Sequence, residues 1–272
     1  MKFNTRKSKL SVLFIAGATA LLSGCQTYDA VLGSGTSVTA TDSARLTKSG
    51  FLTDYARLKP VAALGGIECW RDARMNPKQF DKVLISRIHV SIAPPKSGKE
   101  GEQATIDPSD LKTLTDYFHA SLVKALSPQM PVVDKAGPGV VVIRIALTDL
   151  VPTTVTDSLA GTLIPYAFIA EAGSGVASGR PAGSTPYMGE TGMEMQFRDG
   201  ANGQVIAECR DTQIGRKYAA DVNGSAVNTA QTYAAGYMNS FQAWSYAKNA
   251  FDKWSLLVAT RFAELRGVSP AK

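Results

Sequence analysis

Apolar and polar positions alternate along four stretches of the chain and recur at helical spacing along two more. In residues 81–92 (DKVLISRIHVSI), Leu84, Ile88, Val90 and Ile92 share one parity, while Val83 and Ile85 occupy the other. That pattern predicts a strand covered on both faces, stopped by Pro94-Pro95. Residues 139–150 put Val141, Ile143, Ile145 and Leu147 on one face, and Val142, Arg144, Ala146 and Thr148 on the other. In residues 188–198, Thr191, Met193, Met195 and Phe197 point inward; Glu190, Glu194, Gln196 and Arg198 are expected to point outward into solvent. Asp199-Gly-Ala-Asn-Gly203 has the composition of a hairpin turn. Residues 204–210 then form a fourth strand, with Val205, Ala207 and Cys209 on one face.

The two helical stretches are as distinct. Asp107 suits an N-cap, Pro108 the first turn and Asp110 the positive helix end. Leu111, Leu114, Phe118, Leu122 and Leu126 follow every three or four residues, until Ser127-Pro128. A last helix is predicted over residues 241–266, with Trp244, Ala247, Phe251, Trp254, Val258, Phe262 and Leu265 in one stripe and Gly267 at its stop. Phe51, Leu52, Tyr55 and Leu58 also sit at helical spacing and predict a short docking helix or turn before Pro60. The order β-α-β-β-β-α implies an α+β fold: a mostly antiparallel sheet of four or slightly more strands, with two main helices on one face. Residues 159–187 break every period. Their apolar start, Pro165, and Gly173, Gly175, Gly179 and Gly183 read as an insertion in the domain, either a partner-facing or membrane-facing flap or a loop tucked over the sheet.

The N-terminus carries a different signal. Lys2, Arg6, Lys7 and Lys9 precede the uncharged run LSVLFIAGATALL of residues 10–22. A basic start and an apolar run too short to span a bilayer form a secretory signal peptide. Leu22-Ser23-Gly24-Cys25 resembles the bacterial lipobox, which implies cleavage before Cys25, a thioether-linked diacylglycerol on its sulfur and an acyl group on its new amine. Ala18-Thr19-Ala20 is a competing ordinary cleavage site, but it lies inside the apolar run. Two or more acyl chains anchor a protein stably. Gln26, where an aspartate marks inner-membrane retention, points to the outer membrane, with the body facing the periplasm or the cell surface. Ser, Thr, Gly and Ala make up thirteen of residues 26–48 and describe a flexible tether. The chain thus divides into a removed signal peptide (1–24), a lipidated cysteine and tether (25–48), one α+β domain (49–267) and a tail (268–272).

Composition changes the picture little once this is recognised. The chain has 272 residues, a formal charge of +6 and 44% hydrophobic residues. That is enough for a core and excludes a disordered acidic chain. Four of the 29 basic residues, and no acid, lie in residues 1–24. The remaining body is nearly neutral, and no basic run follows Lys9, so a nucleic-acid partner is not expected.

Candidate chemistry is sparse. Beyond Cys25, the cysteines Cys69 and Cys209 are a natural disulfide pair in an oxidising compartment, the alternative being two separate buried thiols. His89 and His119 have no ligand cluster around them, so no metal is expected and both read as structural histidines. No nucleophile elbow or phosphate-binding loop is present. Glu190 and Glu194 share a strand face and are expected to be solvated.

Ser49-Gly-Phe-Leu-Thr-Asp-Tyr55 after the lipobox, the Arg198–Ala207 turn-and-strand pair and Ala250-Phe-Asp-Lys-Trp254 with Phe262 and Leu265 together resemble bacterial lipoproteins of the domain of unknown function 3313 family. The resemblance spans residues 49–267, leaves the 159–187 insertion unaligned, and implies an envelope lipoprotein with an α+β body and no activity to carry over. The expected function is a non-enzymatic structural or partner-binding module, held by its lipid and without another cofactor, that binds an envelope protein. The alternative is an envelope hydrolase or ligand-binding protein acting on peptidoglycan, lipid or glycan, with Glu190, Glu194, His89 or Asp149 converging on a cleft.

Overall fold

The computed structural model describes residues 37–39, 46–91, 106–151, 189–215 and 244–268. Their strands are β1 (Ser37–Thr39), β2 (Lys59–Pro60), β3 (Glu68–Arg71), β4 (Lys82–Ile85), β5 (His89–Val90), β6 (Val140–Val151), β7 (Glu190–Asp199) and β8 (Val205–Gly215). The helices are α1 (Pro108–Leu126) and α2 (Ser245–Arg266). The expected signal peptide, Cys25 and the 159–187 insertion lie outside the described residues.

All eight strands join one sheet, ordered β2-β3-β8-β7-β6-β4, with β1 beside β8 and β5 beside β6. The α+β class stands, and the sheet is larger than its four expected strands. It is also mixed: β4 and β5 run parallel to β6, and every other pair is antiparallel. The parallel pair follows from connectivity, since α1 lies between β4 and β6 and carries the chain back to the same end.

The strand expected over residues 81–92 is two pieces, β4 and β5, because Ser86-Arg87-Ile88 interrupts the ladder. Residues 204–210 continue as strand to Gly215. The β7–β8 hairpin is as expected; Asp199 N–H donates to the Gln204 carbonyl at 2.9 Å and Gly203 N–H to the Asp199 carbonyl at 2.7 Å. Two parts of the stretch read as a tether belong to the body: β1 pairs with β8, and Leu46 and Thr47 are buried.

Helix α1 starts where its capping residues place it. The Asp107 carboxylate accepts the Ser109 N–H at 2.7 Å, and Pro108 occupies the first turn. Its apolar stripe of Leu114, Phe118, Leu122 and Leu126 is buried. Helix α2 begins at Ser245 and ends at Gly267, whose N–H closes the last turn. The two helices meet through a Phe118–Phe251 stack with ring centroids 4.5 Å apart. Tyr117 and Ser121 donate to the two carboxylate oxygens of Asp252 beside it, at 2.8 and 2.6 Å. Together they cover one sheet face, where Ile143, Ile145, Leu147, Met195 and Trp254 are almost fully buried. Each such side chain contributes about 1.5–3 kcal/mol relative to exposure.

Candidate functional site

The opposite sheet face is polar, and it is buried too. Strand register places side chains across it in rows. Trp70, Glu208, Gln196 and Arg144 form one row; Glu68, Arg210, Glu194 and Ala146 form the next. Glu194, Gln196 and Glu208 have no solvent exposure. This corrects the expectation that Glu194 and Gln196 point into water. Strict alternation identified the two faces of β7 but could not say that a second layer covers the polar one.

That layer is the segment from Leu46 to Leu58, hereafter the strap. Of the short helix or turn expected there, the structure has the turn, a single 3-10 turn over Tyr55–Arg57 capped by Asp54; the rest is extended or turned chain. Extended backbone leaves N–H groups free to bond side chains, and the strap uses them in a repeated clamp. Ser49 donates its N–H and hydroxyl to the Glu194 carboxylate at 3.1 and 2.5 Å. Four residues on, Thr53 donates its N–H and hydroxyl to Glu208 at 2.8 and 2.9 Å. Between them, Gly50 adopts φ +85°, a left-handed turn that a side chain resists, and donates its N–H to the Tyr55 hydroxyl.

The rest of the array completes the charge balance. Arg57 donates to Glu208 at 2.6 Å while lying 3.4 Å over the Trp70 ring. Arg210 pairs with Glu68 at 2.7 Å. Gln196 bridges the signs, donating to Glu208 at 2.7 Å and accepting from Arg144 and Arg198 at 2.8 and 2.6 Å. Burial alone would push the Glu208 carboxyl up, but hydrogen bonds from Gln196, Arg57 and Thr53 outweigh it and hold it below the usual range. Burial, with Glu194 beside it, pushes the Tyr55 hydroxyl up. At the far end Thr47 donates to Asp149 at 2.8 Å. Asp149 sits opposite Gly192, where a Cβ would collide with its carboxylate and with the Thr148 hydroxyl.

The four groups named for a hydrolase do not converge on an open cleft. Glu194 and Asp149 are held by the strap, and Glu190 lies at the start of β7. His89 pairs with Ala146 at the end of the Glu194 row, its ring 5.8 Å from that of Phe51 in the strap, and it lines a surface groove between β5 and α1 of about 660 Å³ that also contains His119, Arg87, Lys112 and Asp116. Both histidines are exposed, and Lys112 pairs with Asp116 at the groove's edge. Among the described residues, no cluster of three or more potential ligands could hold a metal ion.

Cys69 and Cys209 lie opposite each other on β3 and β8 and form a disulfide. β3 escaped the sequence reading because ECWR is too short to show a period. Next to the bridge, the helix-covered face also contains a buried polar centre. Asp211 accepts from Trp254 Nε1 at 2.7 Å and from Gln213, and desolvation pushes its carboxyl up despite the nearby Lys253 ammonium.

A mixed sheet with two helices on one face and an N-terminal strap on the other defines an α+β domain with a clamped polar face. The chain belongs to the family described as "Protein of unknown function (DUF3313)", whose model matches residues 47–238. The match opens at Thr47, the first strap residue bonded to the sheet. Among solved structures, the chain is similar to the PelC dodecamer from Paraburkholderia phytofirmans, at 12% identity and TM-score 0.30, over 66% of this chain and 100% of that one. It is also similar to a Xanthomonas campestris protein of the DUF330 family model, at 10% identity and TM-score 0.29, over 70% and 92%. Both likenesses are too remote to assign a function to this chain. No curated protein matches it.

Proposed function

We propose that this chain is a lipoprotein of the bacterial outer membrane, a non-enzymatic module whose body faces the periplasm and binds an envelope protein. The observation that carries the reading is the sequence Leu22-Ser23-Gly24-Cys25 behind a basic, then apolar, leader. The Cys69–Cys209 disulfide supports the same compartment, because such bridges persist where thiols are oxidised. The strap gives the anchor a mechanical role. Chain leaving the lipid first meets the body at β1, beside β8, and then at strap residues bonded directly to β6, β7 and β8, so the anchor leads into the sheet itself. The partner surface in this reading is the His89–His119 groove, where Arg87 and Lys112 outnumber Asp116 and suit an acidic segment.

Metabolic labelling with palmitate and membrane fractionation test the anchor. The native chain should be labelled and sediment with outer membranes; Cys25→Ser should accumulate as unlabelled precursor. Normal labelling of that variant would end the reading. For the partner, a photoreactive residue at position 119 should yield one reproducible crosslinked protein in living cells, and none when Arg87 and Lys112 are both changed to Glu. Crosslinks unaffected by that reversal would reject the groove.

A further inference from the structure

A partly open cavity of about 220 Å³ lies between the helix-covered face of β3, β7 and β8, the 61–67 turn and the C-terminal half of α2. Its wall is almost wholly apolar, including Leu64, Met75, Met193, Leu257 and Phe262 with the Cys69–Cys209 bridge. Two cations, Arg71 and Arg261, also line it, and among the described residues no acidic side chain does. Arg71 is solvent-exposed and Arg261 half-buried, pairing outward with Glu264 at 2.8 Å. The space is thus apolar inside and cationic at its edge.

We propose that this cavity binds a fatty acid, with the acyl chain inside and the carboxylate on Arg71 and Arg261. Charge favours the class of ligand: a planar carboxylate can pair a guanidinium in bidentate fashion, meeting Arg71 and taking the place of Glu264 on Arg261. Volume sets the length. An apolar cavity of about 150 Å³ takes one benzene, so this one has room for about eight or nine carbons, a medium-chain acid or the buried part of a longer one. The wall suits a flexible chain rather than a rigid ring system, because Met75, Met193 and Met195 can repack around it. A few polar groups at the edge of an apolar space is the usual plan of a small-molecule site.

Photolabelling tests this on the full-length protein in nanodiscs of neutral lipid, using decanoic acid with a terminal diazirine and, separately, the matching primary alcohol. The acid should label peptides carrying Met193, Leu257 or Phe262. Labelling should fall about fivefold in Arg71→Gln/Arg261→Gln, the scale of two exposed charge contacts. Those side chains stand at the edge, so that variant keeps its fold. Ala207→Leu, which fills the cavity, should also lose the label while keeping its circular dichroism. The proposal is overturned if those peptides stay unlabelled, if the alcohol labels them equally, or if the double variant labels like the native protein.

Discussion

Ser49 grips Glu194 with both its backbone N–H and its hydroxyl, joining residues 145 apart in the chain. Thr53 repeats the grip on Glu208 across 155 residues. Each carboxylate is a buried charge whose hydration is replaced by donors from the strap. Removing a donor therefore leaves a charge partly unsatisfied, which costs more than an average hydrogen bond.

Ser49→Ala is expected to destabilise the body by about 2–3 kcal/mol, because the Glu194 carboxylate loses its hydroxyl donor. Glu194→Gln should cost less, since it removes the buried charge along with the need to balance it. Urea unfolding followed by tryptophan fluorescence checks the order of the two variants; equal stabilities would remove the clamp from the account.

The acid limb of stability should depend on Glu208. Its folded pKa is depressed, so its stabilisation is present above the unfolded pKa of about 4.3 and is lost as pH falls through the lower folded value. Unfolding free energies measured from pH 6 down to pH 2 should therefore fall less steeply in Glu208→Gln than in the native chain. Parallel acid limbs in the two proteins would contradict the depressed value.

Asp211 should behave in the opposite sense. Its folded pKa is raised by burial, so its stabilising contribution is present below the unfolded pKa and is lost as pH rises through the folded one. Asp211→Asn keeps an acceptor for Trp254 without the charge, and it should match or exceed the native stability at pH 8. Asp211→Ala leaves the Trp254 N–H unpaired and should cost about 1–3 kcal/mol. Thermal unfolding at pH 5 and pH 8 separates the two.

Breaking the bridge should weaken the whole body rather than one edge. It closes a loop of 140 residues, which the chain-entropy account values at about 5 kcal/mol. Cys69→Ser/Cys209→Ser, and the native chain under reductant, should unfold at matching and much lower urea concentrations. A loss confined to β2 and β3 in hydrogen exchange, with the rest unchanged, would refute this.

At Gly192, the alanine variant places a methyl group against Asp149 and Thr148 at the irregularity in β6. It should destabilise by about 1–3 kcal/mol through overpacking. Gly203→Ala is a comparison of another kind: its φ of +76° strains an alanine, but the space beside it is open. Solubility and urea midpoints of the pair distinguish crowding from backbone strain.

The sequence by itself determined the principal elements and one layer of packing. Period-2 alternation over β6 and β7 and the 3.6-residue stripe of α1 carry that information locally, as do Asp107, Pro108 and Gly267 at the helix ends. It determined the candidate disulfide too, because only two cysteines follow Cys25. Only the tertiary structure decided what lies on the other face. Glu194, Gln196 and Glu208 look like solvent-facing positions until the strap arrives from more than a hundred residues upstream. The strap itself mimics a helix, because Phe51, Leu52, Tyr55 and Leu58 are spaced by contacts rather than by turns. The apolar cavity was equally hidden, since Arg71, Met193 and Phe262 come together only when β3, β7 and α2 pack. Local pattern records which side chains avoid water; the pairing of distant charges and the shape of the space between layers depend on contacts that no local period records.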